Sequence, residues 1–200
     1  GITGIGMSFP DKVLSNAELE KMVDTNDQWI VERTGIHERR IVEKGVGASF
    51  HGAEAAKKAI AHAGLTPEEI DLIIVPTVTP DMMFPSTACL IQDIIGAKNA
   101  WGYDLSAACS GYLFALESAR CQVACGMVKN AVVIGTEAMS SIIDYEDRNT
   151  CILFGDGAGA AVIQPIDDSA PGIIDSINFI DGSGAKHLHM KAGGSRMPAT

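Results

Sequence analysis

Long apolar runs alternate with amphipathic segments along the chain. Residues 71–78 form a nearly continuous apolar stretch, and residues 131–135 form a second one. Runs of this length are typical of strands that are buried on both faces, as in parallel sheets. Further strands are predicted over residues 1–10, 100–105, 161–163 and 171–180.

Helix signals fill the intervals between these strands. Ser15 and Glu18 form a capping box that predicts a short helix, and residues 25–28 form a second box that opens a helix ending near Gly35. Further helices are predicted over residues 49–63, 85–95 and 110–127. Strands that alternate with helices indicate an α/β fold with a largely parallel sheet covered on both faces.

Composition and charge matter here mainly for what they exclude. The chain has 200 residues, is 46% hydrophobic and carries a net charge of −10. These values support a sizeable core and disfavour non-specific binding to nucleic acid or to anionic membranes. We expect neither a bilayer-spanning segment nor a signal peptide, since no apolar run is long enough and no basic segment opens the sequence. The five cysteines include no C-x-x-C pair, so we expect reduced thiols, a cytoplasmic location and no bound metal.

One cysteine, Cys109, has a local pattern that the other four lack. A strand ends near Ser106, small residues make a tight turn, and a long helix is predicted to begin about Cys109. A thiol there faces the positive end of the helix dipole, which favours the nucleophilic thiolate. Small neighbours leave room for a substrate carbonyl, and backbone N–H groups can bind an oxyanion. A buried structural cysteine at a crowded junction fits the same spacing equally well. Core positions are predicted for the remaining cysteines, Cys89, Cys121, Cys125 and Cys151.

Three separated motifs, in the right order, resemble the β-ketoacyl-acyl-carrier-protein synthase III family of thiolase-like condensing enzymes. They lie at residues 22–39, at residues 104–111 (Asp-Leu-Ser-Ala-Ala-Cys-Ser-Gly) and at residues 147–161, which include Phe-Gly-Asp-Gly-Ala-Gly. The resemblance implies a thiolase-like fold of two similar halves. It assigns residues 1–165 to the N-terminal half, with a mixed, mostly parallel sheet between helices. Residues 166–200 would begin the connection to a second half.

The resemblance also implies a decarboxylating Claisen condensation that begins type II fatty-acid synthesis. Cys109 would take the acyl group of an acyl-CoA as a thioester. Malonyl-acyl carrier protein would then lose carbon dioxide and attack that thioester. The His and Asn of the family's mechanism are expected beyond residue 200, so residues 1–200 are expected to be acylated without condensing. No cofactor is implied, because coenzyme A enters as a thioester substrate.

Trp29 and Arg33 are four residues apart on one predicted helix and therefore share a face. An indole beside a guanidinium suits a nucleotide, although a surface ion pair is the simpler interpretation without the family. In the resembled family, residues matching Trp29 and Arg148 sandwich the adenine of coenzyme A. The match to Arg33 contacts its phosphates, and the match to Thr25 borders the site. Arg39 and Arg40 are further candidates for the local positive charge that such acidic ligands require.

Bulky apolar residues are candidates for the acyl pocket. Phe84 and Phe154 precede a proline and a glycine run, and Leu188 is a third candidate. The resemblance implies that Phe84 reaches across a homodimer interface into the partner's pocket. The glycine-rich run at residues 155–159 lacks the third glycine of a dinucleotide fingerprint and leads into a strand. We interpret it as backbone packed closely beneath the site.

Two other functions stay open at this point. One is a related CoA-dependent condensing enzyme, such as a hydroxymethylglutaryl-CoA synthase or a polyketide starter synthase. The other is a non-catalytic half that dimerises and binds an acyl carrier.

Overall fold

The computed structural model describes residues 1–167 and 169–198, and its elements follow the chain much as the sequence predicts. The strands are β1 (Ile2–Ser8), β2 (Val13–Ser15), β3 (Glu38–Arg40), β4 (Leu72–Pro76), β5 (Trp101–Leu105), β6 (Ala131–Ala138) and β7 (Asp156–Ile163). The helices are α1 (Asn16–Leu19), α2 (Asp27–Thr34), α3 (Ala48–His62), α4 (Thr87–Ile95) and α5 (Gly111–Ala124). Short 3₁₀ turns lie at Pro67–Glu69, Ala108–Ser110, Met139–Ser141 and Gly182–Lys186.

Five of these strands form one mixed sheet in the order β1-β7-β6-β4-β5. β4 pairs in parallel with β5 on one side and with β6 on the other. β7 runs antiparallel to both of its neighbours, β6 and β1. Only β7 is therefore reversed within this sheet, which confirms an α/β fold with a mixed, mostly parallel sheet. The reversal agrees with chain order, because β6 and β7 follow one another without the helical crossover that parallel strands need.

Every residue of β4, the strand between β6 and β5, is buried. Ile73 and Val75 belong to the apolar cluster that includes residues of α3 and α4. Leu72 and Ile74 belong to the cluster that includes residues of α5. Successive side chains of a strand point to opposite faces, so helices cover β4 from both sides. The predicted double-faced burial is confirmed.

A smaller unit precedes α3 in the chain. β2 and β3 pair as an antiparallel ribbon, and α1 and α2 lie between them in sequence. An apolar cluster joins this unit to the segment before β7 through Leu19, Ile30, Cys151 and Ile152.

The helix α2 begins one residue later than its predicted capping box. Its N-cap is Asn26, whose side chain accepts a hydrogen bond from the Trp29 N–H at 2.8 Å. Thr25 is not the cap, because its hydroxyl has no hydrogen-bond partner among the described residues. The predicted end is confirmed, since Gly35 has the left-handed φ of 71° that favours glycine.

The strand predicted over residues 171–180 is wrong. This segment forms no β-ladder with any described residue. Its apolar side chains point into solvent, with Ile174 95% and Ile180 90% exposed. Alternating apolar residues form a strand only where a free edge and an apolar face receive them, and local sequence does not show whether either exists. The division at residues 165 and 166 stays a prediction, and residues 168, 199 and 200 lie outside the described part of the chain.

The packing of α3 on β1 requires two glycines. A Cβ added to Gly4 would lie 2.2 Å from the carbonyl oxygen of Ala59, and one added to Gly6 would lie 2.2 Å from that of Ala55. Both neighbours are buried backbone groups of α3. The helix therefore approaches the strand at a distance that no side chain allows.

We expect Gly6→Ala to lower the free energy of unfolding by about 1–3 kcal/mol, because the new methyl group must push α3 away from β1. Gly159→Ala is the matched control on the neighbouring strand β7, since a Cβ there meets nothing within 4 Å. Thermal or urea unfolding of the two variants measures the difference. Equal stability of Gly6→Ala and the parent chain would contradict the close approach.

Candidate active site

Cys109 lies in the connection between β5 and α5. The chain leaves β5 at Leu105, forms the 3₁₀ turn Ala108–Ser110 and enters α5 at Gly111. Ala108, directly before the cysteine, has a φ of 45°. Among the described residues, it is the only one besides glycines that has a positive φ. A left-handed alanine costs roughly 1–2 kcal/mol. Such strain persists where the surroundings impose it and is often found at functional sites.

The predicted helix start at Cys109 is close to the structure but not identical to it. The α-helix begins two residues later, and the N–H of Ser110 donates to the carbonyl of Ala107 at 3.2 Å. Cys109 therefore precedes the positive end of a 14-residue helix. Its own N–H donates to no acceptor among the described residues. A free N–H beside a thiol is the arrangement that an acyl oxyanion needs.

The thiol opens into a cavity of about 240 Å³ at the carboxyl ends of the parallel strands. The cavity is lined by Pro76 of β4, by residues 135–137 of β6 and by their pairing partners, residues 157–159 of β7. Cys109 is exposed to this space. The position agrees with the general rule that α/β sheets bind ligands beyond the carboxyl ends of their strands. Glycine and alanine at five of the lining positions leave the cavity open.

Two polar residues of this wall were missed by the sequence reasoning. Glu137 lines the cavity, and its carboxylate accepts hydrogen bonds from the N–H groups of Val78 (2.9 Å) and Thr79 (3.1 Å). These bonds fix the carboxylate to the turn that follows β4. Nothing in its local sequence signals this contact, because β6 and that turn are far apart in the chain.

Tyr112 also lines the cavity, and a Cβ at Gly135 would lie 3.0 Å from its ring. Burial raises the pKa of Tyr112, so the phenol stays neutral at physiological pH. Tyr112 could have been found from the sequence, since it follows Cys109 by three residues at the start of a predicted helix.

The other thiols differ from Cys109 in their surroundings. Cys151 is buried as predicted, and burial raises its pKa. Cys89, Cys121 and Cys125 are exposed, so their predicted core positions are wrong. They lie on outward faces of α4 and at the C-terminal end of α5, where the apolar periodicity does not distinguish inward from outward positions. The hydrogen bond from Cys121 to Glu117 at 3.3 Å raises the pKa of Cys121.

Trp29, Arg33 and Arg148 lie together in the structure. The guanidinium carbon of Arg33 lies 4.4 Å from the centroid of the Trp29 ring, and that of Arg148 lies 4.3 Å from it. Arg148 also pairs with the carboxylate of Asp24 at 3.6 Å. The Nε of Arg148 is buried without a hydrogen-bond partner among the described residues, and so is the hydroxyl of Thr25. The cluster therefore brings together an indole, two cations that stack on it and two unused donors.

Arg39 does not join this cationic surface, although the sequence suggested it. It is only 5% exposed and donates to the carbonyls of Leu14 (3.1 Å) and Ile152 (3.1 Å) and to the side chain of Asn16 (2.9 Å). Burial lowers the pKa of this guanidinium. Its role is to join β2 and β3 to the segment before β7.

The three candidates for the acyl pocket do not line the Cys109 cavity in this structure. Phe84 is 83% exposed on the loop before α4, and Leu188 is 77% exposed in the segment after β7. Phe154 is half-buried just before β7. Their assignment to an acyl pocket stays a prediction.

The glycine-rich run has the close packing that we expected at one position. A Cβ at Gly155 would lie 2.9 Å from the Cβ of Arg39 and 3.1 Å from the carbonyl oxygen of Arg40. Gly159 differs, because a Cβ there meets nothing within 4 Å. Both Gly157 and Gly159 belong to the strand β7 and not to a phosphate-binding loop.

Within the described residues, no helix combines the length and apolar character that a bilayer span requires. In the same part of the chain, no group of three or more His, Cys, Asp or Glu side chains is arranged to hold a metal ion.

Comparison with known proteins agrees with this geometry. Residues 103–182 match the family model for 3-oxoacyl-[acyl-carrier-protein (ACP)] synthase III. The chain is 52% identical, over its full length and 60% of the relative, to the β-ketoacyl-[acyl-carrier-protein] synthase III of Koribacter versatilis. The crystal structure of that synthase from Thermus thermophilus has a TM-score of 0.90 and 40% identity, covering 94% of this chain and 58% of that one.

A second solved structure is the priming β-ketosynthase of the R1128 polyketide pathway. It has a TM-score of 0.87 and 42% identity, covering 92% of this chain and 54% of that one. The chain thus spans about 60% of the length of the curated relatives that it matches. The matching family model, the identity along the whole chain and the shared thiolase-like fold together show that the chain is similar to the N-terminal part of β-ketoacyl-[acyl-carrier-protein] synthase III.

Proposed function

We propose that the protein takes part in the decarboxylating condensation of an acyl-CoA primer with malonyl-acyl carrier protein, which gives a 3-oxoacyl-acyl carrier protein and begins type II fatty-acid synthesis. The observation that supports this most is the exposed Cys109 thiol. It lies in a strained turn before α5 and opens into a cavity at the strand ends. An exposed nucleophile beside a free N–H is suited to acyl transfer.

The first half-reaction can be written on residues of this chain. The Cys109 thiolate attacks the thioester carbon of acyl-CoA, and the carbonyl oxygen becomes an oxyanion that the Cys109 N–H can bind. The carbon–sulfur bond to coenzyme A then breaks, and coenzyme A leaves as a thiolate that takes up a proton. The product is an acyl group on Cys109.

The second half-reaction needs groups that we expect elsewhere in the full-length enzyme. Malonyl-acyl carrier protein loses carbon dioxide, and its carbanion attacks the Cys109 thioester and releases the thiol. Charge develops on the thioester oxygen of the malonyl group and requires hydrogen-bond donors. We assign these donors to the His and Asn of the family, beyond residue 200.

The nucleotide of coenzyme A would bind at the cluster of Trp29, Arg33, Arg148 and Thr25. An indole provides a stacking face for adenine, and guanidinium groups pair with phosphates. Arg148 lies 4.3 Å from the Trp29 centroid, so a stacked purine cannot fit between the two groups in this arrangement. Arg148 must therefore move away from the indole when the adenine enters.

A homodimer is supported by the free edge of β5. This strand pairs only with β4 among the described strands, so one row of its N–H and C=O groups has no partner in the sheet. Trp101 on this strand is 50% exposed, and the nearby loop presents Met83 and Phe84 at 80% and 83%. A free strand edge bordered by large apolar side chains favours pairing with a second copy.

The primer pocket and the location of the protein complete this proposal. Phe84 from the partner, together with Phe154 and Leu188, would bound a short acyl chain. The free cysteines are consistent with a reducing, cytoplasmic environment.

Of the alternatives, a polyketide starter synthase is supported by the likeness to the priming β-ketosynthase. Comparing malonyl-acyl carrier protein with malonyl-CoA as the extender, in the full-length enzyme, separates the two functions.

We expect iodoacetamide to alkylate Cys109 faster than Cys121 and Cys151, whose raised pKa values keep them protonated. Acetyl-CoA should slow the labelling of Cys109 selectively. Peptide mass spectrometry at neutral pH measures the rate at each cysteine, and the exposed Cys89 and Cys125 are controls in the same chain. Equal labelling of Cys89, Cys109 and Cys125 without protection by acetyl-CoA would favour the non-catalytic alternative.

Arg148→Ala is expected to weaken the binding of coenzyme A about tenfold, since a cation stacked on an aromatic system contributes roughly 1–2 kcal/mol when partly desolvated. Isothermal titration calorimetry measures the dissociation constant. Arg196→Ala, in an exposed segment of the chain, is the matched control for loss of one positive charge. Equal loss of affinity in both variants would mean that net charge, and not the Trp29 cluster, determines binding.

Trp101→Lys should shift the protein from dimer to monomer, because a lysine on a strand edge opposes edge-to-edge pairing. Sedimentation velocity at several concentrations measures the oligomeric state. Ile174→Lys makes the same change at an apolar side chain that is 95% exposed outside the sheet and should leave the dimer intact. A monomeric parent chain at all concentrations would overturn the proposed homodimer of residues 1–200.

A further inference from the structure

The carboxylate of Asp156 joins three segments that are distant in the chain. Asp156 is the first residue of β7 and is only 6% exposed. Its Oδ2 accepts from the N–H of Val42 at 2.7 Å and from the hydroxyl of Ser140 at 2.5 Å. Its Oδ1 accepts from the N–H of Ser140 at 2.8 Å. Hydrogen bonds to a carboxylate are stronger than those between neutral groups, so the three bonds form a firm junction.

Each of these segments leads to a part of the proposed site. Val42 follows β3, which is connected through three residues to α2 with its Trp29. Ser140 lies in the 3₁₀ turn after β6 and opens the segment that contains Arg148. Residues 157–159, directly after Asp156, form a wall of the Cys109 cavity. One carboxylate is therefore connected to both sides of the nucleotide cluster and to the thiol cavity.

Close backbone packing also restricts movement at the junction around Asp156. Gly155 approaches β3 so closely that a Cβ would lie 3.1 Å from the carbonyl oxygen of Arg40. The neighbouring N–H of Ile41 donates to the carbonyl of Lys12 at 3.0 Å, which holds β3 against β2. A shift at Asp156 would therefore move the ribbon of β2 and β3 relative to β7, because Val42 lies two residues after β3 and Asp156 is the first residue of β7.

We infer that Asp156 is a positioning residue that fixes the span between the Cys109 thiol and the nucleotide cluster of Trp29 and Arg148. It touches neither the thiol nor the cluster. Its carboxylate fixes the segments that carry both, so that nucleotide binding at the cluster positions the acyl carbon of the same coenzyme A thioester relative to the sulfur. This inference rests on the proposed function, since it requires that both sites bind one molecule.

The test is the preference of Cys109 for a thioester that carries a nucleotide. The rate constant for acylation of Cys109 is measured by intact mass spectrometry with acetyl-CoA and with S-acetyl-N-acetylcysteamine, which lacks the nucleotide. Asp156→Asn replaces one acceptor oxygen by a donor NH₂, so it removes at least one bond of the junction with little change in shape. We expect the ratio of the two rate constants to fall about tenfold, because displacement of one bound end misplaces the reacting carbon.

The matched control is Asp181→Asn. Asp181 accepts from the N–H (2.9 Å) and the hydroxyl (2.7 Å) of Ser183, much as Asp156 does from Ser140, but it is exposed and its partner is local. The ratio in this control should equal that of the parent chain. Ser140→Ala removes only the hydroxyl bond and should lower the ratio in the same direction by a smaller factor. It keeps the inference testable if Asp156→Asn does not fold.

Two outcomes overturn the inference while the proposed function stands. One is an unchanged ratio in Ser140→Ala and in a folded Asp156→Asn. The other is an equal fall of both rate constants, which would show that Asp156 stabilises the fold without setting the span. A parent chain that shows no preference for acetyl-CoA contradicts the proposed coenzyme A site itself, and the inference fails with it.

Discussion

Burial of β4 on both faces is the constraint on which the rest of the structure depends. Ile73 and Val75 pack with residues of α3 and α4, whereas Leu72 and Ile74 pack with residues of α5. With both faces covered, a ligand can reach the sheet only at the strand ends. The connection from β5 to α5 crosses the carboxyl end of the sheet, because β5 runs parallel to β4 and α5 then packs back against one face of the sheet. Cys109 is therefore placed at an end of the sheet where a cavity opens. The short connection that holds it there includes the left-handed Ala108.

Local arrangement, and not net charge, determines how an acidic chain could bind acidic ligands. The net charge is −10, yet Arg33 and Arg148 both lie against Trp29 at one place on the surface. Glu137 is the acidic group that lines the Cys109 cavity. Its carboxylate accepts hydrogen bonds from the N–H groups of Val78 and Thr79, and these bonds partly offset its negative charge. At short range these contacts outweigh distant charges, because solvent and salt screen the latter over about 10 Å.

The sequence predicts those parts of the fold whose causes are local. The buried run of β4, the capping box before α1 and the terminal Gly35 of α2 each have a signal within a few residues. The segment at residues 171–180 has an equally good strand pattern, and no strand forms there. A strand needs a partner edge, and the pattern of one segment contains no information about what lies beside it. The exposed Cys89 and Cys121 show the same limit, since helical spacing does not reveal which face a neighbour covers.

The candidate site likewise has features that the sequence predicts and features that only the folded molecule shows. The order of the elements, the cysteine in a turn before a long helix, and the pairing of Trp29 with Arg33 can be obtained from the amino-acid sequence, because each depends on neighbours along the chain. The cavity wall at Glu137, the stacking of Arg148 on Trp29 and the junction at Asp156 arise only in the folded molecule. Val42 and Asp156, for example, are 114 residues apart, and no periodicity connects them. Packing of the sheet and its helices brings such residues within hydrogen-bond distance, which is why tertiary structure alone decides how the thiol and the cluster around Trp29 are held relative to one another.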